Sequence, residues 1–356
     1  MKDLLNYVRK ANTTFEETPI NATDAVILCW VSYIVFPKID VNGVLIGDLT
    51  DGRLLSEKET FEKAYNPKRT KVLFDLLRKS KRFSRVRVIY PFEFTSDEEE
   101  TQFAAVTLQT QKNEFFIAFR GTDPSYTGWR ENLNCSFNYP VPSQVSAFEY
   151  ADKIMGIFGK QTYYIGGHSK GGNLAVYASF MLNKEKQDMT KYVFDFDGQG
   201  FIFDIKKEKG YENIKKKIKK FVPQASLVGM LLLPGSEYKI VKSRSVSVFQ
   251  HDPFSWDVND DGLIQELAER TRNSVRLEKA LNKWIEEMTF DERKRMVEII
   301  YRELSKLSAK DFTEFNKAFF FQVFSILKLF GTMNDDDKEF FGKKVKRLFD
   351  LRREEK

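Results

Sequence analysis

Gly167-His168-Ser169-Lys170-Gly171 is a G-x-S-x-G pentapeptide, the stretch of this chain most suggestive of chemistry. A serine hydroxyl is a poor nucleophile until a base removes its proton during attack. The residues before the pentapeptide, Thr162-Tyr163-Tyr164-Ile165-Gly166, read as a strand, and those after it, Gly172-Asn173-Leu174-Ala175-Val176-Tyr177-Ala178, read as a helix. A strand turning sharply into a helix lifts the serine oxygen above a sheet. Such a turn needs small flanking residues, which Gly167 and Gly171 supply. The helix also points unpaired N–H groups and its positive end at charge developing on a carbonyl oxygen. The Lys170 N–H is therefore one expected oxyanion donor. A glycine-rich turn with no chemistry is the bland alternative, and the strand–turn–helix context weighs against it.

A second signal lies about fifty residues upstream, where Phe115-Phe116-Ile117-Ala118-Phe119 reads as a buried strand ending in Arg120-Gly121-Thr122-Asp123. In the α/β-hydrolase fold the other oxyanion donor comes from such a loop. Thr122 is the candidate, through its N–H, with its hydroxyl as an auxiliary. The bland alternative is a plain strand exit.

These segments carry a resemblance. Phe119-Arg120-Gly121-Thr122 followed by Gly128-Trp129 is similar to the F-R-G-T…W signature of class 3 lipases, and Gly167 to Ala175 is similar to their G-H-S-L-G-G-A-L-A. More closely, the chain resembles a bacterial family of lipase-like hydrolases with no assigned substrate. That family carries G-T-D…G-W-x-E-x-x-N, H-S-K-G-G-N-L-A, D-G-P-G-F and H-D-P-F-S-W. The matching residues are Gly121 to Asp123 with Gly128 to Asn134, His168 to Ala175, Asp197 to Phe201 and His251 to Trp256. Gln199 departs from the family's proline. The resemblance spans roughly residues 20 to 300 and implies an α/β-hydrolase fold acting on an ester.

The chain has two histidines. His168 abuts the serine, and the motif turns its side chain elsewhere. His251 follows the last strand-like run, Val246 to Gln250, where this fold places its general base. It is the base by elimination. The acid is less determined. The resemblance to class 3 lipases implies a carboxylate near Ser226, where this chain has none. Asp197, at the end of the strand after the nucleophile helix, can replace it. Asp195 shares its face if the strand continues, Asp252 adjoins the histidine, and an arrangement with no acid is the fourth alternative. We take Asp197. Lys170 either steers an anionic substrate, lies exposed at the helix start, or pairs with an acid such as Asp123.

The elements that must hold these residues alternate. Asp24 to Phe36 reads as a buried helix capped by Asn21 or Thr23, and Glu57 to Lys79 as an amphipathic helix broken near Pro67. Phe103 to Thr110 and Glu114 to Arg120 form a hairpin, and Ser143 to Phe158 is helical. Tyr192 to Asp197, Lys219 to Pro223, Tyr238 to Val241 and Val246 to Gln250 are further strands. The pattern predicts a mostly parallel sheet with helices on both faces. After about residue 260 it turns helical throughout. The expected division is an α/β-hydrolase domain over 1–260 and a C-terminal helical region over 261–356 packed on it.

Composition sets the outer limits. The chain has 356 residues, 42% hydrophobic and 30% charged, values of a globular protein, with 33 phenylalanines for the core and an apolar cleft. A net charge of +6 is too diffuse for nucleic-acid binding. The run from Lys206 to Lys220 reads as a solvated helix face rather than an anionic-surface contact. The two cysteines, Cys29 and Cys135, form no disulfide framework or metal cluster, and no cofactor spacing occurs. No run reaches the ~18 apolar residues of a membrane span, so the cytoplasm is the default address. Phe315 to Phe330 could lie on a membrane surface or cap a pocket, against the ordinary reading of a bundled helix.

The functional expectation is hydrolysis of a carboxylic ester, small or lipid, through an acyl-enzyme on Ser169, without cofactor or metal. Acyl transfer or thioester cleavage would use the same residues. A catalytically silent fold that binds a lipid or protein is the alternative of a different class. Nothing in the sequence speaks to oligomeric state.

Overall fold

The computed structural model describes residues 3–306 and 332–355; the Phe315 to Phe330 stretch lies outside them. Among the described residues nine strands form one sheet in the order of the chain: β1 (Val44–Leu45), β2 (Arg87–Ser96), β3 (Thr101–Gln111), β4 (Glu114–Phe119), β5 (Thr162–His168), β6 (Thr190–Phe196), β7 (Ile218–Pro223), β8 (Tyr238–Val241) and β9 (Glu266–Leu267). Pairs β1 to β4 are antiparallel, β4 to β8 parallel, and β8–β9 antiparallel. The antiparallel half can close through short turns, as at Asn113 (φ 65°) between β3 and β4. The parallel half needs crossovers, which helices supply from β4 to β7, whereas β7 reaches β8 through a loop with a 3-10 turn at Val228–Met230.

The described helices are α1 (Leu4–Lys10), α2 (Ala22–Val31), α3 (Glu57–Phe61), α4 (Pro67–Lys79), α5 (Tyr126–Asn134), α6 (Pro142–Phe158), α7 (Lys170–Met181), α8 (Lys184–Met189), α9 (Tyr211–Ile214), α10 (Arg272–Glu287), α11 (Phe290–Ser305) and α12 (Asp335–Glu354). Strand alternation assigns the core to two layers. Phe115, Ile117 and Phe119 of β4 pack with α6 and α7, whereas Phe116 and Ala118 pack with α1, α2 and α4. On the second face the rings of Phe116, Tyr164 and Phe194 stack across three neighbouring strands, and Phe196 continues the row to Phe221. Four of the 33 phenylalanines, Phe116, Phe194, Phe196 and Phe221, lie in that row. The architecture is that of an α/β-hydrolase, a largely parallel sheet covered on both faces.

Several expectations change. The helix predicted over 24–36 is α2, capped by Asn21 and ending at Val31. The Glu57 to Lys79 pattern divides at Pro67, as its proline demanded. Val246 to Gln250 is not a strand: Ser247 takes φ 51° and residues Ser247–His251 form a 3-10 turn. Gln250 fixes that turn, accepting from the Ala225 N–H (2.8 Å) and donating to the Ser245 carbonyl (2.9 Å). The chain after residue 260 is not helical at once, because β9 pairs with β8 first. The lysine run is not one helix face either. Most of it is exposed over a 3-10 turn, α9 and β7, but Lys220 is buried against Asp195. Beyond β9, α10, α11 and α12 build apolar clusters of their own, and Tyr126 and Leu133 of α5 pack against one of them. Among the described residues no helix is long and apolar enough to cross a membrane.

Candidate active site

Ser169 stands between β5 and α7 with φ 59° and ψ −133°, a conformation side-chain-bearing residues rarely adopt. Its flanking glycines are forced. A Cβ at Gly167 would lie 2.2 Å from Gly171 backbone, and one at Gly171 would lie 2.2 Å from the Phe119 carbonyl oxygen. The Ser169 N–H donates to the Phe196 carbonyl at 2.9 Å, so the turn is fastened to the end of β6. Lys170 opens α7, where the first N–H groups have no intrahelical acceptors.

The loop after β4 approaches from the other side. A Cβ on Gly121 would come within 3.0 Å of the Ser169 Cβ, which brings this loop against the serine. Thr122 follows. Its hydroxyl is buried without a hydrogen-bond partner among the described residues, and the residue lines the same cavity as Ser169.

His251 and Asp197, 54 residues apart in sequence, meet: Nδ1 of the imidazole lies 2.7 Å from Asp197 Oδ2. Asp197 is fully buried and takes φ 53° just beyond β6, which swings its carboxylate out of the strand's alternation. Its other oxygen, Oδ1, accepts from the Ser226 hydroxyl and from the Gly229 N–H (3.2 Å). Ser226, near which the resemblance implied a carboxylate, thus holds the one that Asp197 brings.

The other acid candidates go elsewhere. Asp195 does not share the face of Asp197, because the strand stops between them. Its Oδ2 pairs with Lys220 at 2.6 Å and its Oδ1 accepts from the Gly198 N–H at 2.8 Å. Burial pushes its carboxyl up against the opposing pull of Lys220. Asp252 accepts from the Phe254 N–H at 2.9 Å, starting the next short turn, and burial pushes it up too.

Lys170 is neither exposed nor paired with Asp123. Its side chain is fully buried, with Nζ 2.6 Å from Glu131 Oε2 and bonded to both oxygens of Gln102, backbone and side chain. Asp123 instead lies 3.6 Å from both Arg120 and Lys63. The Lys170–Glu131 pair ties the Ser169 turn to α5. Removing one partner strands a buried charge, so Lys170→Met should cost about 3–5 kcal/mol of stability. Thermal denaturation reads this, and an unchanged melting temperature would contradict it.

His168 does more than the motif suggested. Its ring lies 4.4 Å from that of His251, and its Nε2 is 2.8 Å from the His251 carbonyl oxygen, which can only accept. Nε2 therefore carries the proton. Nδ1, 3.2 Å from the Tyr33 hydroxyl, must accept from it, and that hydroxyl in turn accepts from the Gly121 N–H. Burial, with His251 alongside, holds His168 well below the usual imidazole range and keeps it neutral. One chain of hydrogen bonds thus joins the Thr122 loop to the backbone of His251. Tyr33 had no local signal, lying 88 residues from Gly121. Glu131 had one, as the acid of the G-W-x-E-x-x-N segment.

Ser169, His251 and Thr122 line a cavity of about 400 Å³, a size suited to a small molecule. Its walls are apolar: Trp129 and Leu133 of α5, Leu227 and Leu231 after β7, Leu281, Trp284 and Ile285 of α10, and Met296, Val297 and Ile300 of α11. Cys135 also lines it, but burial pushes that thiol up to about 12, so it offers little thiolate at neutral pH. Among the described residues no group of three or more His, Cys, Asp or Glu side chains could hold a metal ion.

A family model described as Mbeg1-like matches residues 77–302. No curated protein matches by sequence. Similar solved structures include M37 lipase, with 14% identity and a TM-score of 0.37 over 57% of this chain and 67% of that one. A mutant form of MDLA from Penicillium cyclopium has 12% identity and a TM-score of 0.39 over 70% and 87%. Lip2 lipase from Yarrowia lipolytica has 10% identity and a TM-score of 0.36 over 76% and 84%.

Proposed function

We propose that this chain, which belongs to the Mbeg1-like family, is a serine hydrolase that cleaves a carboxylic ester through an acyl-enzyme on Ser169. The observation carrying the reading is the buried His251–Asp197 contact of 2.7 Å on the same cavity that Ser169 lines from its strained turn.

In this reading Asp197 fixes the His251 tautomer with the proton on Nδ1, which assigns proton exchange with substrate to Nε2. Ser169 Oγ attacks the ester carbonyl carbon as its proton passes to Nε2. The N–H groups of Thr122 and Lys170 hold the oxyanion. The intermediate collapses, the C–O bond to the alcohol breaks, and the imidazolium protonates the leaving alkoxide. Water then attacks the acyl-enzyme as its proton passes to His251 Nε2, the second tetrahedral intermediate collapses with the C–Oγ bond breaking, and the imidazolium returns that proton to Ser169 Oγ, releasing the carboxylic acid and free serine. The apolar walls favour a hydrocarbon acyl group or an equally apolar alcohol.

The test is turnover of p-nitrophenyl esters from acetate to dodecanoate by the purified 356-residue chain. The expected result is hydrolysis that improves from acetate toward a medium-length acyl chain, with a p-nitrophenol burst wherever deacylation is slower than acylation. A protein that hydrolyses none of these esters would count against the reading.

A further inference from the structure

Helix α11 carries one charge on the face it turns to the cavity. Arg293, Met296, Val297 and Ile300 all line that space, and their spacing along the chain puts them on one side of the helix. Three of the four are apolar. The fourth is a guanidinium, and its hydrogen bonds locate its head. Nε donates to the Met288 carbonyl at 3.0 Å and Nη1 to the Ser136 carbonyl at 3.0 Å. Met288 and Ser136 line the cavity themselves, just beyond the ends of α10 and α5. The head is therefore fixed at the corner of the cavity where α5, α10 and α11 meet. The residue is half-buried, and Nη2 has no acceptor among the described residues.

The protein supplies this charge with no partner. Of the three arginines on α11, Arg295 and Arg302 pair with Asp337 at 3.1 Å and 2.5 Å. Arg293 pairs with no carboxylate among the described residues. The adjacent Glu292 is taken by Lys344 at 2.5 Å. The carboxylates on the cavity wall are committed as well: Asp123 faces Arg120 and Lys63, and Asp252 accepts from the Phe254 N–H. Among the described lining residues Arg293 is the one Lys or Arg side chain. A cation held against apolar walls with no counter-charge is costly, and an anion arriving there would be bound strongly.

We propose that Arg293 selects the substrate by charge: the ester taken by this site carries an anionic group, a carboxylate or a phosphate, on its hydrocarbon part, and Arg293 Nη2 donates to it. This rests on the serine-hydrolase reading and narrows it from esters in general to anionic ones. The apolar side chains of α10 and α11 that share the cavity hold the hydrocarbon, and the arginine holds its charged end. A neutral ester of the same length would leave the guanidinium facing that hydrocarbon unpaired, so the site discriminates against it.

The experiment compares, on the 356-residue chain, the mono-p-nitrophenyl esters of glutarate, adipate, suberate and sebacate with the same compounds capped as methyl esters, which differ only in the charge. A second arm compares 1-octanoylglycerol 3-phosphate with 1-octanoylglycerol, and the two arms tell an anion on the acyl side from one on the alcohol side. In the wild type, kcat/KM for at least one anionic ester should exceed that of its neutral counterpart by about tenfold or more. In Arg293→Gln that ratio should fall to near one, and Arg293→Lys should keep part of it. Taking the ratio within each protein cancels any overall change in rate from the lost carbonyl bonds. A wild type that falls short of tenfold for every pair, an Arg293→Gln variant that keeps the preference, or a lysine variant no better than the glutamine one overturns the inference while leaving ester hydrolysis intact. Failure to hydrolyse any member of the set would defeat the serine-hydrolase reading instead. Calorimetry of monomethyl and dimethyl suberate on Ser169→Ala, with and without Arg293→Gln, then still decides the anion site: tighter binding of the anion that Arg293→Gln abolishes supports it, and equal binding of the two esters overturns it.

Discussion

Ser169→Ala should lower kcat on a p-nitrophenyl ester by about 10⁵–10⁶-fold, to the level set by binding and the oxyanion donors alone. The covalent intermediate needs the hydroxyl, and no described residue nearby replaces it. Cys135 shares the cavity, but its thiol is pushed up to about 12, and water would have to attack without a positioned nucleophile. Folding should be preserved. The Ser169 hydroxyl makes no cap bond to α7, and alanine carries the same Cβ through the strained turn. His251→Ala should lose about as much, and the double variant no more than either, because a nucleophile and its base act as one unit. Additive losses in the double variant would show that the two residues work independently.

Asp197→Asn should reduce kcat by about 10³–10⁴-fold with little change in KM. The hydrogen bonds around the carboxylate fix the reason. Ser226 and the Gly229 N–H both donate to Oδ1, so an asparagine would keep its carbonyl oxygen there and turn its NH₂ toward His251 Nδ1. That nitrogen would then have to accept, which places the imidazole proton on Nε2, the atom that must take the proton of the serine. The variant is wrong by one tautomer in an intact site. Steady-state kinetics read it, and a loss below tenfold would assign Asp197 a merely structural place.

What the sequence disclosed follows from range. The turn at Ser169 is a local device: strand, glycines and helix sit side by side in the chain, and the backbone strain they relieve is written in those residues. The parallel strands flanking that turn, short β-rich runs bounded by turn residues, were legible for the same reason. Strand β2 was not, because Pro91 lies inside it. The ladder absorbs the proline through a register shift between Ile89 and Phe92, with Tyr90 at φ 45°. Strand β9, two residues long, carries no pattern to read. The Val246 to Gln250 run looked β-forming, but Ser247 and the side chain of Gln250 bend it into the turn that presents His251. The sequence left Lys170 steering an anionic substrate, exposed at a helix start, or paired with an acid such as Asp123, and the acid it pairs with is Glu131. The burial of Lys170 depends on Glu131 and Gln102, 39 and 68 residues away, and a distant partner leaves no trace in local spacing. That Asp195 and Asp197 point apart likewise follows from one positive φ at Asp197, which sequence alternation cannot foresee.

The most direct measurement is covalent. Wild-type protein would be treated with a fluorophosphonate, weighed intact, digested, and its adduct mapped. The account requires one phosphonyl group per chain, carried on the peptide containing Gly167 to Gly171 and localised to Ser169, formed far more slowly in His251→Ala. A folded protein that gains no mass, or gains it on a different residue, would contradict the assignment of Ser169 as nucleophile.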